Sequence, residues 1–195
     1  AQRFPAAETP VREAVPHDVE SLVSLSAAET GSVNEWDLPS PYIHQVVASV
    51  VDIDGYGHVN NAVYIGWLDQ TAWAHSAALG LPPESCVEGR RGMAVWRTQV
   101  NYLAPAFQGD RIQVGTWILA SDSRLRVSRR FQMTRPSDGR TLLRALLHYV
   151  CIDPDSGKPK RMPPEFVARY QPLPEVRNFL GGDSSPFAPR LQSST

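Results

Sequence analysis

Asp52, Asp54, His58, Asn60 and Asn61 crowd into the run VDIDGYGHVNNAVYIGWLD, residues 51–69, where an apolar, strand-like stretch gives way to a helix. An ionised carboxylate can activate water or attack a carbonyl itself, provided that a nearby donor stabilises the oxyanion that forms. Asp54 is the candidate carboxylate, as base or as nucleophile; its alternative is an Asx turn at Asp54-Gly55. Asp52 reads as fixing the loop by a hydrogen bond or ion pair, although a second carboxylate two residues away would raise its neighbour's pKa. His58 orients the loop, bonds a substrate carbonyl or modulates Asp54, or else is an ordinary structural histidine. Asn60 and Asn61 are natural N-caps. The unpaired N–H groups that open a helix there, at the positive end of its dipole, suit an oxyanion or a polarised carbonyl. Asp69, farther along the helix, must reach solvent, a partner or the site, while Tyr64 and Trp67 read as packing between helix and sheet.

The elements that position these residues follow from periodicity. QVVASVV is β-branched and predicts a strand; Asp54-Gly55-Tyr56-Gly57 predicts a turn. From Ala62 the period becomes helical, with Val63, Trp67, Thr71, Ala74 and Ala78 on one stripe, Gly80 as C-cap and Pro82-Pro83 as a stop. LPPESCVEGRRG reads as a loop. Four strands are predicted over residues 93–102, 111–121, 125–135 and 141–152, joined by short polar turns that make neighbours antiparallel. In LRVSRRFQM, Leu125, Val127 and Arg129 share one face and Arg126, Ser128 and Arg130 the other, which predicts a wet face. Pro163-Pro164 opens a short helix, residues 17–28 predict another, and the tail LGGDSSPFAPRLQSST has the composition of an end that orders on contact, if at all. The result is an α+β protein, a five-stranded antiparallel sheet wrapped around one long central helix, with an extension over residues 1–40, a domain over 41–172 and a tail over 173–195. Such a sheet has open edges that invite a second copy.

The run over residues 51–69 resembles the hotdog-fold thioesterases of the 4-hydroxybenzoyl-CoA type and the related acyl-acyl-carrier-protein thioesterases. The pattern D-x-D-x-x-G-H-V-N-N-x-x-Y-x-x-W/F-x-E/D is matched by Asp52, Asp54, Gly57, His58, Val59, Asn60, Asn61, Tyr64 and Trp67, with Asp69 where many members carry Glu. NYLAPAFQGDRIQV, residues 101–114, continues the likeness as strand, Pro-containing bend and Gly-Asp turn. The resemblance implies hydrolysis of an acyl-CoA or acyl-carrier-protein thioester, with Asp54, His58 and the Asn61 backbone N–H in the chemistry and Asn60, Tyr64 and Asp69 at the substrate. It also implies a homodimer or homotetramer in which edge pairing places each site between two subunits. Because CoA carries phosphates, Arg124, Lys158, Lys160 and Arg161 are candidate contacts, with solvated surface as the alternative. Trp96, Trp117 and Phe131 are candidates to shape an acyl tunnel.

Composition bounds the rest. At 195 residues and 42% hydrophobic content the chain can bury one good core. A formal net charge of -1 gives no global reason to expect nucleic acid or an anionic membrane. Cys86 and Cys151 form no Cys-x-x-Cys, and no His cluster accompanies them, so neither a disulfide framework nor a metal is expected, and no cofactor motif is present. No apolar run approaches the roughly 20 residues of a membrane span, and a cytoplasmic protein is the expectation. Two rival readings stand beside the thioesterase. A hotdog hydratase or dehydratase commonly shows D-x-N-P-x-H, whereas Gly-Tyr-Gly separates Asp54 from His58 here; a non-catalytic acyl-thioester binding module is left open by the sequence.

Overall fold

The computed structural model describes residues 36–181. In chain order they form β1 (Tyr42–Val47), a 3-10 turn (Val50–Asp52), α1 (Asn61–Ala78), α2 (Pro83–Glu88), β2 (Gly92–Tyr102), β3 (Arg111–Ser121), β4 (Arg126–Arg135), β5 (Arg140–Ile152), α3 (Pro164–Arg169) and α4 (Pro174–Phe179). The strands make one sheet in the order β1-β3-β4-β5-β2, every neighbour antiparallel. β2 and β1 are its edges. The helix expected over residues 17–28 lies outside the described residues.

Two local expectations need correction. The β-branched run does not stay a strand to Val51: Asp52 Oδ2 accepts hydrogen bonds from the Ser49 N–H and hydroxyl, both at 2.7 Å, and closes a 3-10 turn over Val50–Asp52. LPPESCVEGRRG contains α2, with Pro83 in the first helical turn, where a missing N–H costs nothing. Pro174 opens α4 in the same way, ahead of the terminal stretch LGGDSSPFAPRLQSST.

Helix α1 packs on one face of the sheet. Its N-cap is Asn60, whose side chain accepts from the Ala62 N–H at 2.9 Å. At the other end Gly80 takes φ +82, Gly80 N donates to Ala77 O and Leu81 N to Ser76 O, both at 2.9 Å, which is a Schellman ending. The buried stripe is Tyr64, Trp67, Leu68, Thr71, Ala72 and Ser76. It departs from the predicted stripe after Thr71, and Ala78 faces solvent. The stripe packs on Phe131, Met133, Leu142, Leu143 and their neighbours in the main core.

The outer face of the sheet is covered, against the expectation of a wet one. Asp37 sits between Arg130 Nη2 at 2.6 Å and Arg144 Nε at 2.7 Å, and its own N–H donates to Gln132 Oε1 at 2.8 Å. Trp117 Nε1 donates to Pro39 O at 2.7 Å, Trp36 meets Trp117 edge-on, and Leu38 and Val176 of α4 complete a second apolar cluster with Leu119 and Leu146. Gly115 permits this approach, because a Cβ there would stand 2.5 Å from the Trp36 ring. The strand's polar alternation was read correctly as a face. What covers it, an ion-paired segment some 93 residues upstream of Arg130, leaves no trace in that alternation.

Candidate functional site

The loop between β1 and α1 is built by its own side chains and by the bend after β2. Asp54 N donates to His58 O at 2.8 Å, Gly57 N to Asp54 O at 3.1 Å and Tyr56 N to Asp54 Oδ1 at 2.8 Å, so Asp54 does make the Asx turn. The His58 N–H reaches the same Oδ1 at 3.4 Å. Asp54 Oδ2 has no partner among the described residues and remains available to a water or a substrate. Gly57, at φ +80, supplies the left-handed residue that lets the chain turn back. Asp52 anchors the other side, its carbonyl accepting from the Asn60 N–H at 2.8 Å.

Residues 103–110 hold this loop in place. Val59 N donates to Ala106 O at 2.9 Å, and Ala106 N donates to the Tyr64 hydroxyl at 2.8 Å. The His58 and Phe107 rings meet edge to face with centroids 5.2 Å apart. Arg135 ties the bend to the sheet through Pro105 O, Asp110 and Asp138, and its hydrogen bonds to the Asp138 and Asp110 carboxylates hold its guanidinium well above its ordinary pKa. Tyr64 is therefore buried beneath the loop, its phenol pushed up chiefly by desolvation. Asn61 opens α1 at the surface; its carbonyl accepts from the Tyr102 hydroxyl at 3.0 Å, and its N–H has no acceptor among the described residues. Asp54, His58, Asn60, Asn61 and Tyr64 thus come together.

The other expected residues do not join them within one chain. Asp69 stands eight residues beyond Asn61, roughly 12 Å along the helix axis. Arg124 and Arg161 are neighbours, since Met162 N donates to Arg124 O at 2.8 Å, but they lie where β3 ends and β4 begins, whereas the Asp54 loop lies beside the far ends of β2 and β4. A strand of this length spans roughly 35 Å. Of the two lysines near Arg161, Lys160 is held by Asp153 at 2.9 Å and Lys158 is exposed. Among the tunnel candidates, Phe131 is in the main core, Trp117 is on the opposite face of the sheet, and Trp96 is half-exposed on β2 beside His148.

Asp69 instead marks a cavity of about 120 Å³ between α1 and the sheet, lined by Ala72, Trp73, Ser76, Cys86, Met93, Val95, Val127, Arg129, Tyr149 and Tyr170. Arg129 reaches in from β4: Nη2 donates to Ser76 Oγ at 2.8 Å, Nη1 lies 3.1 Å from His75 Nδ1, and the guanidinium faces the Tyr170 and Tyr149 rings at 5.4 and 5.8 Å. Desolvation, with the Arg129 charge adding to it, lowers the His75 pKa to about 3, so its Nδ1 is an acceptor. The Tyr149 phenol is pushed up to about 12, mainly by desolvation. Sequence reasoning passed over this group, although a signal was present: Arg129 shares the inward face with Leu125 and Val127, and a charge on an apolar face needs a reason.

Comparison with known proteins fits this architecture. The chain belongs to the thioesterase-like superfamily, which matches residues 49–170. No curated protein sequence matches it. Among solved structures, a 1,4-dihydroxy-2-naphthoyl-CoA thioesterase from Synechocystis is similar at 18% identity and TM-score 0.61, covering 67% of this chain and 96% of that one. A DHNA-CoA thioesterase from Staphylococcus aureus is similar at 21% identity and TM-score 0.57, covering 61% and 78%. A further protein from that organism, solved in complex with CoA, is similar at 16% identity and TM-score 0.62, covering 72% and 85%. At these identities the shared property is the fold, and it is the hotdog fold expected from the sequence.

Proposed function

We propose that the protein hydrolyses an acyl-CoA or acyl-carrier-protein thioester to the free acid and thiol. One observation carries this reading: Asp54, with Oδ2 unengaged, stands in the loop that leads into the unpaired Asn61 N–H at the start of α1. The thioester carbonyl would accept from that N–H, which stabilises the oxyanion as the carbonyl carbon is attacked. As base, Asp54 takes a proton from the attacking water, the tetrahedral adduct expels the thiolate as the C–S bond breaks, and the proton passes to that thiolate. As nucleophile, Asp54 attacks the carbonyl carbon, the C–S bond breaks to release the thiolate and leave a mixed anhydride, and water then hydrolyses the anhydride, freeing the acid and the Asp54 carboxylate and protonating the thiolate. His58, set against Phe107, positions the loop on the substrate side. Names borne by the structural relatives support CoA as the thiol carrier, and Arg124 and Arg161 offer charge for its phosphates.

The working site, in this reading, is assembled from two copies of the chain. Asp69 and the cavity lie two helical turns from Asn61, and Arg124 and Arg161 lie at the far end of the sheet. Antiparallel pairing of two β2 edges would set the Tyr102–Asn61 end of one protomer beside the Met93–Val95 end of its partner, which holds the cavity and the arginines. β2 supports such pairing as an eleven-residue edge with Val95 and Trp96 about half-exposed. Residues 41–172 are the unit we propose to carry the site. A chromogenic thiol-release panel over short, long, branched and aromatic acyl-CoAs, with carrier-protein esters beside them, tests the activity. Turnover of at least one class is expected; binding without turnover across the panel would contradict hydrolysis.

A further inference from the structure

The cavity under α1 contains a buried cation that no carboxylate neutralises. Arg129 is 3% exposed and forms no ion pair among the described residues; its polar neighbours are neutral, namely His75, Ser76 and the two tyrosine rings. The other fully buried arginines of the sheet are compensated, Arg130 by Asp37 and Arg135 by Asp110 and Asp138. Asp69 faces the same cavity from the exposed side of α1 and stays outside ion-pair distance of Arg129. A second observation points the same way. Tyr149 lines the cavity, and its hydroxyl, sealed from solvent, has no hydrogen-bond partner among the described residues. A buried charge without a counter-charge and a buried phenol without a partner are each unfavourable, and they meet at one place.

An acceptor group bearing negative charge resolves both. A carboxylate fits best: its two oxygens match the fork of a guanidinium and leave a lone pair for a phenol. The remaining wall, Trp73, Val95 and Val127, suits a short carbon chain. The volume of about 120 Å³ is slightly under the roughly 150 Å³ that accommodates benzene, so only the end of a larger molecule enters. Asp69 and Ser76 are separated by roughly 10 Å along α1, the reach of about five or six carbons together with the hydrogen bond made by a terminal carboxylate.

We propose that this cavity receives the far end of an acyl group that terminates in a carboxylate, with Arg129 and Tyr149 as its recognition residues. That the ligand is an acyl group rests on the thioesterase reading; that it is anionic rests on the cavity itself. A neutral acyl end would leave Arg129 uncompensated and the Tyr149 hydroxyl unpaired, the situation in which polar sites discriminate strongly.

The test compares kcat/KM for glutaryl- and adipyl-CoA with hexanoyl- and heptanoyl-CoA, and in parallel measures calorimetric binding of free glutarate and adipate against neutral hexanol. The expected wild-type preference for the carboxyl-tipped member of each pair is about tenfold or more. Tyr149→Phe removes a hydroxyl that bonds nothing among the described residues, so it should fold, and the preference should fall several-fold. Arg129→Gln should abolish it, and thermal melting shows whether that variant is folded. Should it fail to fold, the tyrosine variant and the wild-type preference still decide. Equal turnover of charged and neutral substrates, or a preference for hydroxybenzoyl-CoA over both, would overturn the cavity assignment and leave hydrolysis standing. Dicarboxylate binding that weakens in Tyr149→Phe, without turnover of any thioester, would uphold the cavity and overturn hydrolysis. Absence of both would overturn both.

Discussion

Asp54 spends one carboxylate oxygen on its own turn and leaves the other unengaged among the described residues, so the amide that replaces it least disturbs the loop while removing the proposed base or nucleophile. Asp54→Asn should therefore fold normally and lose roughly 10²- to 10⁴-fold in the chemical rate, read by single-turnover thiol release. Asn61 permits a sharper separation, because the group of interest is its backbone. Asn61→Ala keeps the N–H and should leave the rate near that of wild type, whereas Asn61→Pro deletes it at a first-turn position that tolerates proline and should cost roughly 2.7–4 kcal/mol of transition-state stabilisation. Equal rates for the two folded variants would place the oxyanion donor elsewhere. The residues of this loop were legible in the sequence because they are contiguous: Asx turn, N-cap and helix start are local chemistry. Arg129 was legible only as an anomaly of alternation, and its neighbours Tyr149 and Tyr170 not at all, since nothing in a strand or a short helix says which remote ring a guanidinium will face.

At the scale of elements, periodicity located all five strands and α1 to within a few residues, because alternation and helical spacing record which side is buried. It failed where a segment is defined by what it docks on. The Trp36–Ser40 segment and α4 cover the outer face through Asp37 and a small apolar cluster, contacts between residues far apart in the chain. Burial pushes the Asp37 carboxyl up, but hydrogen bonds from Arg144 and Arg130 outweigh it and hold the carboxyl below its ordinary value. With the folded pKa below the unfolded one, the stabilisation is complete above the ordinary carboxylate pKa of about 4 and is lost as pH falls from there through the depressed value. Tryptophan fluorescence should accordingly report release of Trp36 from Trp117 in acid. Asp37→Asn should show that released signal already at neutral pH, with a loss of about 3–5 kcal/mol if the arginines are left uncompensated. An identical acid profile in wild type and variant would remove Asp37 from the account.

For the whole molecule, the positions of the site residues matter more than their identities. One chain gathers Asp54, His58 and Asn61 at one end and holds Asp69, Arg124 and Arg161 away from them, an arrangement that edge pairing of β2 would complete. The sequence made the open edge legible, but not which edge we propose to pair, because exposure of Val95 and Trp96 depends on where β2 falls in the sheet order. Sedimentation at low concentration should show a dimer or a multiple of it. The central claim, a thioester hydrolase whose site spans two protomers, is tested most directly by mixing two variants that are each inactive alone. Asp54→Asn disables the loop, and Asp69→Trp sets a bulky ring across the cavity mouth from an exposed position. After subunit exchange, half of the dimers pair one variant with the other, and each of these holds one intact site, so thiol release should recover to about a quarter of the wild-type rate. A mixture that exchanges subunits and stays as inactive as its parents would contradict a shared site, and with it the account.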